Sequence, residues 1–459
     1  MKLRTLIGGV GVAMWLGGTA AAPASEALLN KMVEKGYLTQ REANEIREQM
    51  GAEEAANVEA YNKTKVSSWI DQMKWSGDLR LRTEFFDNED QSNQVDRWRF
   101  RYRFRLGMEA KFVEWATVGF RLAIGDASDP VSTNETFDDT FQKDPIQIDA
   151  AYVIIQPPAW DWTSATAGKM NNPFWHPAFG SPMIYDGDLT PEGVAEQFNW
   201  MFGDQDRHAV FINAGQFLLN EISGSADTDG FIYDAQGGVQ MKFGKDPKNP
   251  VLAAKAGGGF FWTVNADAND GLTRESPNVG NAVFIAAGSG TTVNTNFLAD
   301  FEVVYVGGEV AWQLCDRPFL GTPAIITVSG EYVQNLANAF ETLAGATNSV
   351  SPDQTEGYAG QIAFGSDKKK RQWKIAYQYK HLEADAVFDS LTDSDFGTGG
   401  TDRKGHVVKA TYNFQDWWQL GLTAFITEKI SSRGGANSVS VGDPAEELLR
   451  VQIDNVWKF

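Results

Sequence analysis

Five arginines take every second position from Arg97 to Arg105, and Trp98, Phe100, Tyr102 and Phe104 fill the places between them. A guanidinium keeps its charge at any physiological pH and offers a rigid fork of donors, so a row of them attracts anions and clamps carboxylates. With a side-chain period of two, all five charges lie on one face of a strand and the rings on the other. If the rings meet lipid, the arginines face an aqueous interior. Arg80 and Arg82 in the preceding segment and Arg121 in the following one then join Arg97, Arg99, Arg101, Arg103 and Arg105 in a basic pore-lining wall. Charged walls select ions because the pore field is strong at close range. The competing reading is structural: these arginines pair with inward acids such as Glu84 and Glu109, or with a loop folded inward. The stretch from Asn171 to Glu192 is the candidate for that loop, and its Asp186, Asp188 and Glu192 are expected to face the wall across a constriction.

The elements that must position these residues are strands. Alternation runs unbroken from Arg97 to Phe112, well beyond the usual strand of about 5–6 residues and beyond the ~9–11 that a tilted strand needs to cross a bilayer. Similar segments lie near 76–86, 115–126, 146–157, 162–170, 193–201, 208–219, 230–244, 253–265, 299–314, 324–335, 356–366, 372–384, 404–414, 417–430 and 447–459, which brings the number to sixteen. The connections alternate as well. Long ones near 127–145, 171–192, 266–298, 336–355, 385–403 and 431–446 are separated by short ones near 114, 158–161, 245–252, 315–323, 367–371 and 415–416. Bacterial outer-membrane barrels sort their loops in this way, with short turns in the periplasm and long loops outside. Trp75, Phe112, Trp115, Trp160, Trp162, Trp200, Trp373, Trp417, Trp418 and Trp457 fall at the short-turn ends, where amphipathic rings favour the interface between lipid and water.

The two ends of the chain agree with export to such a membrane. Lys2 and Arg4 precede an apolar run to about Leu16 and then small residues up to Ala24, the pattern of a cleaved signal peptide. That run is shorter than the ~20 residues a spanning helix needs. At the other end Leu449, Val451, Ile453, Trp457 and Phe459 share one register, and a terminal aromatic closing an alternating strand resembles the signal by which the barrel-assembly machinery recognises its clients. The single cysteine, Cys315, excludes an internal disulfide, so an exported chain of this size needs another means of closure. The expected architecture is all-β: a transmembrane antiparallel β-barrel of about sixteen strands over 75–459, after a signal peptide at 1–24 and a periplasmic helical segment and linker at 25–74. That segment carries Leu28, Leu29, Met32 and Val33 at helical spacing, and Thr39 with Glu42 as a capping box.

Several strings carry a family resemblance. LLNKMVEKGYLTQREA (Leu28 to Ala43), AGKMNNPFW (Ala167 to Trp175), DLTPEGVA (Asp188 to Ala195), GEYVQN (Gly330 to Asn335) and ADAVFDSLTDSDF (Ala384 to Phe396), running into GGTDRKGH (Gly399 to His406), are spread over nearly the whole mature chain. The chain resembles the putative porin family of sixteen-stranded Gram-negative barrels. The resemblance implies a passive channel for small hydrophilic solutes or ions and brings no catalytic residues. The N-terminal module is also similar to that of anion-selective porins, and a homotrimer is expected by analogy.

Other chemistries fit less well. A net charge of -20 argues against nucleic acid. The four histidines, His176, His208, His381 and His406, stand in no G-x-S-x-G or H-E-x-x-H context, so no enzyme is expected. By loop parity His176 is expected outside and His208 near the periplasmic rim. Asn265, Asp267, Asn269, Asp270 and Gly271 form a poor calcium loop, because Asp270 stands where glycine is wanted and Ser276 where the bidentate acid belongs. No metal or cofactor is therefore expected. Asp126, Asp129, Asp138 and Asp139 are candidates for bridging divalent ions to lipopolysaccharide. The alternative to a pore is a barrel that sheathes an electron-transfer partner.

Overall fold

The computed structural model describes residues 31–35, 39, 43, 72–87, 96–138, 140–221, 229–266, 281, 283–286, 294–297, 301–337, 354–430 and 447–459. The chain divides into two units, Met1–Met73 and Lys74–Phe459. In the first, residues 31–34 are helical, and the signal segment at 1–24 lies outside the described residues.

The second unit is a closed antiparallel barrel of sixteen strands. They are β1 (Gln72–Asp87), β2 (Arg97–Val113), β3 (Ala116–Ile124), β4 (Ile146–Ile155), β5 (Thr163–Lys169), β6 (Glu192–Phe202), β7 (His208–Asn220) and β8 (Gly230–Phe243). The second half comprises β9 (Leu252–Val264), β10 (Glu302–Gln313), β11 (Ile325–Asn335), β12 (Glu356–Gly365), β13 (Trp373–Leu382), β14 (Arg403–Gln415), β15 (Trp418–Lys429) and β16 (Glu447–Lys458). Each strand pairs with its sequence neighbours, and β16 returns to β1 in register from Asp78↔Lys458 to Asp87↔Leu449. A two-residue bridge, Glu135–Thr136, pairs with β2, and a separate hairpin joins Val283–Ala286 to Asn294–Phe297. Every strand expected from alternation is present, with ends shifted by up to four residues.

Closure ends on the last residue. Phe459 and Gly77 exchange backbone hydrogen bonds of 3.0 and 2.8 Å, and the Phe459 ring stacks on Phe104 at 6.3 Å. Gly77 has to lack a side chain, because a Cβ there would lie 2.5 Å from the Phe459 ring and 2.6 Å from the Arg105 carbonyl. In β16, Leu448, Arg450 and Gln452 are buried toward the interior, while Leu449, Val451, Ile453, Trp457 and Phe459 take the outward register.

The outward face is apolar along the strands and aromatic at the short-turn rim. Trp162 stacks on Trp200 at 5.3 Å, Phe414 on Trp418 at 4.4 Å, and Trp418 on Trp457 at 6.4 Å. Alternation does not show that the interior also holds an apolar core. Phe174, Met183, Ile184, Tyr185 and Leu189 from the 170–191 connection pack with Val387, Phe388 and Leu391 from the 383–402 connection against Phe217, Phe261, Val303 and Val333 of the wall. Both loops therefore fold into the barrel, and burial of their apolar side chains is what holds them there.

Candidate functional site

The arginines of β1 and β2 point inward, and most of them meet a carboxylate. Arg82 grips Asp454 with two bonds of 2.7 and 2.9 Å and reaches Asp395 at 2.7 Å. Arg99 bonds Glu84 at 2.5 Å. Arg103 and Arg105 converge on Asp78 and Asp188, at 2.8 and 3.2 Å for the first and 2.7 and 3.0 Å for the second. Arg121 pairs with Asp149 and donates to Asn171 at 2.8 Å. Arg80 and Arg101 are covered instead by the 125–145 connection, through Asn134 at 2.6 Å and the Asn134 carbonyl at 3.1 Å. Arg97, the first residue of β2, is exposed. Glu109, which sequence offered as a partner for the arginines, accepts from the Tyr152 hydroxyl at 2.8 Å.

A ninth arginine completes the cluster. Arg450 on β16 binds Glu84 at 2.6 Å and Asp395 at 2.7 Å, and it also donates to the carbonyls of Ser394 and Asp395 at 3.2 and 3.0 Å. Arg450 and Glu84 are fully buried. Charges taken this far out of water persist only when paired and hydrogen-bonded. Parity in the last strand, where Arg450, Gln452 and Asp454 alternate with apolar residues, was the available signal for this residue.

The acidic residues expected on the constriction loop take three different places. Asp188 meets the wall through Arg103 and Arg105. Asp186 instead holds loop backbone, accepting from the amides of Asp188 at 2.7 Å and Ser394 at 3.1 Å. Burial, with Asp393 and Asp188 nearby, pushes its carboxyl well above the usual range. Glu192 does not face the arginines: it is the first residue of β6, in outward register, and pairs with Lys169 at 2.7 Å. One residue of β-register separates the two faces of a wall, so a loop read one residue too long turns its last acid outward.

Three inward glutamines hold the loop. Trp175 donates its amide to Gln236 at 2.8 Å and accepts back at 2.6 Å. Gln361 accepts from Gly180 at 2.9 Å and donates to the Ala178 carbonyl at 2.8 Å, and Gln378 does both with Ser181 at 2.8 and 2.7 Å. A primary amide has one donor side and one acceptor side, so each glutamine offers the loop the pair of bonds that a neighbouring strand would offer. The sequence reading passed over all three.

The 383–402 connection joins this loop to the wall. Asp393 accepts from the Ser181 hydroxyl, and Lys380 donates to the Pro182 carbonyl at 2.6 Å. Burial works to raise the Asp395 carboxyl, but Arg82 and Arg450 outweigh it and hold the group well below the usual carboxylate range.

His176 departs from the external position expected by parity. It lies inside with its loop, bonded to Glu331 at 2.7 Å beside Tyr185 and Tyr305. His208 is the first residue of β7, between Phe202 and Phe243. No group of His, Cys, Asp or Glu among the described residues is arranged to hold a metal ion. Of the poor calcium loop, Asn265 is described, donating to the Asp229 carbonyl at 3.0 Å, while 267–271 lie outside the described residues, as does Asp139; Asp126 and Asp138 are exposed and Asp129 is half-buried.

A family described as "putative porin" matches residues 89–257 and 299–442. Among solved structures, the chain is similar to OmpT of Vibrio cholerae in its outer-membrane expressed form, with 11% identity, a TM-score of 0.45, and coverage of 84% of this chain and 98% of that one. The in-vitro folded trimer form of the same protein gives 13% identity and a TM-score of 0.44 over 84% and 99% of the two chains. A Rhodopseudomonas blastica porin triple mutant gives 9% identity and a TM-score of 0.41 over 84% and 100%. No curated protein sequence matches the chain.

Proposed function

Because the chain belongs to the putative porin family, we propose that it forms a channel in the bacterial outer membrane for passive diffusion of small hydrophilic solutes or ions, with a preference for anions. The observation that carries this reading is a sixteen-stranded wall, apolar outside and polar within, whose own 170–191 loop is fastened across its lumen. An apolar outer surface suits lipid, and a polar lumen suits water and solute. The short turns and their tryptophans then lie on the periplasmic side, as do both chain ends. The segment at 25–74 is a periplasmic element, and the signal peptide at 1–24 is removed on export. Val451, Ile453, Trp457 and Phe459 present the strand by which the assembly machinery takes up the chain. Asp126, Asp129 and Asp138 bridge divalent ions to lipopolysaccharide, and three copies associate side by side.

Because two loops pack inside the barrel, the aqueous path is narrow and its unitary conductance is expected to be small. The same packing weakens the sheath alternative, since the loops occupy space that a partner would need. An enzyme is disfavoured because the family match is to porins and because none of the four histidines stands in a hydrolase or metalloprotease motif. Planar-bilayer recording of the purified protein under a salt gradient tests the proposal. Discrete ion-conducting steps are expected, and a silent bilayer would refute the channel while leaving the barrel intact.

A further inference from the structure

Resting on the channel reading, we propose that anion preference is set not by the arginine wall but by two pairs of lysines on other strands of the lumen, Lys242 with Lys255 across the barrel from that wall and Lys374 with Lys409 on β13 and β14, nearer to it. The register supplies the first argument. Lys242 stands opposite Ala253, which places Lys255 on the neighbouring diagonal. Lys374 stands opposite Thr411, which places Lys409 in the same relation to it. Diagonal neighbours on one face of a sheet are about 7–8 Å apart. Two ammonium groups so placed repel each other unless a negative charge lies between or beside them.

Carboxylates stand nearby, Glu309 directly opposite Lys255 and Asp367 and Asp454 near Lys409, but none reaches ion-pair distance of the four ammonium groups among the described residues. Lys169, Lys404 and Lys429 each have a carboxylate oxygen within 4 Å, whereas none of the four paired lysines does among the described residues. The nearby acids are aimed at other donors and make no direct ion pair with the lysines. Glu309, opposite Lys255 in register, is turned toward the Ser329 hydroxyl at 3.3 Å and the Ala178 amide at 3.4 Å. Asp367 accepts from Thr411 at 2.9 Å, and Asp454 is held by Arg82. Lys255 instead lies over the faces of Trp175 and Phe211, at 4.8 and 4.6 Å from the ring centroids. Those rings fix its position without cancelling its charge. Trp175 belongs to the glutamine-held loop, so this pair sits where that loop meets the wall.

All four lysines are half-buried, open enough to meet solute and covered enough for their field to be strong. The ligand class is a small anion, such as a halide, inorganic phosphate or a short carboxylate, passed from one pair to the other. The pairs thus keep donors available to a passing anion, whereas most of the arginines are tied directly to six carboxylates.

The test is the reversal potential of single channels under a potassium chloride gradient, supplemented by block of the chloride current with inorganic phosphate. Neutralising either pair, as K242Q/K255Q or K374Q/K409Q, is expected to lower the chloride-to-potassium permeability ratio about two- to three-fold, and the fourfold variant to abolish the preference. Lysine-to-arginine replacement at the same positions keeps the charge and should keep the ratio, which separates field from folding. R80Q/R101Q, which removes two covered wall arginines with no carboxylate within 4 Å among the described residues, should change the ratio less than either lysine pair. A conducting channel whose ratio ignores all four lysines, or falls mainly with R80Q/R101Q, overturns the assignment but not the channel. A channel that never conducts overturns both.

Discussion

The two basic stretches of the inner wall are built in opposite ways. On β1, β2 and β16 the arginines meet Asp78, Glu84, Asp188, Asp395 and Asp454, so charge is cancelled close to where it is placed. On β8, β9, β13 and β14 the lysines stand in diagonal pairs with no carboxylate within 4 Å among the described residues. The first arrangement joins loops to strands, and the second, on the proposal above, leaves a field for a passing ion. A row of like charges along a strand reveals where the side chains point. Only their partners reveal whether the charge is spent on structure or left for solute.

If that contrast is right, damage to the two sides should be felt in different measurements. The largest effect is expected for Arg450→Met, which leaves the fully buried Glu84 short of its main partner. Stranding a buried charge costs about 3–5 kcal/mol, so the temperature at which the barrel unfolds in detergent should fall clearly. Lys409→Met should leave that temperature nearly unchanged. Equal losses from both would erase the distinction.

Next in size is the release of the loop. Gln361→Leu with Gln378→Leu removes four hydrogen bonds to its backbone, each worth about 0.5–1.5 kcal/mol net. Unitary conductance should rise, with added open-channel noise, while detergent resistance barely moves. An unaltered current would show that the apolar packing alone fixes the loop.

Phe459→Ala should matter less to the finished barrel than to its assembly. It forfeits the stacking on Phe104, worth about 0.5–1.5 kcal/mol. The fraction of chains reaching the membrane should drop, whereas those that arrive should conduct normally. Full-yield insertion would remove the terminal ring from the recognition signal.

The smallest effect is a pH dependence. Asp186 has a raised carboxyl in the folded loop, so its contribution to loop attachment is present at low pH and is lost as pH rises through the folded value. Asp395, held low, behaves in the opposite sense: its attachment is kept at neutral pH and lost only on strong acidification. Conductance should therefore increase modestly on the alkaline side, and Asp186→Asn should flatten that limb. A wild-type limb that survives in the variant would place the titration elsewhere.

Much of the barrel was legible before any coordinates. Alternation reports which way a side chain points because successive residues in a strand face opposite sides, and this held for Arg103 as it did for Ile453. The interior was far less legible. Gln236, Gln361 and Gln378 look like any polar inward residues until the loop backbone lies against them. The 383–402 connection read as an external loop, although Val387 and Phe388 are buried within the barrel. The lysine pairs were latent in the same alternation, but recognising a pair requires the register between two strands.

The sequence by itself determined the number of strands, which face of each strand is apolar, and the aromatic register in which the last strand closes the barrel. These rest on local rules: a period of two, the composition of turns, and rings placed at an interface. Tertiary structure decided which charges meet. Arg450 and Glu84 are 366 residues apart, and Arg82 and Asp454 are 372 apart. No periodicity can encode such a meeting, because it follows from closure of β16 on β1 and from loops that fold inward to bury apolar side chains.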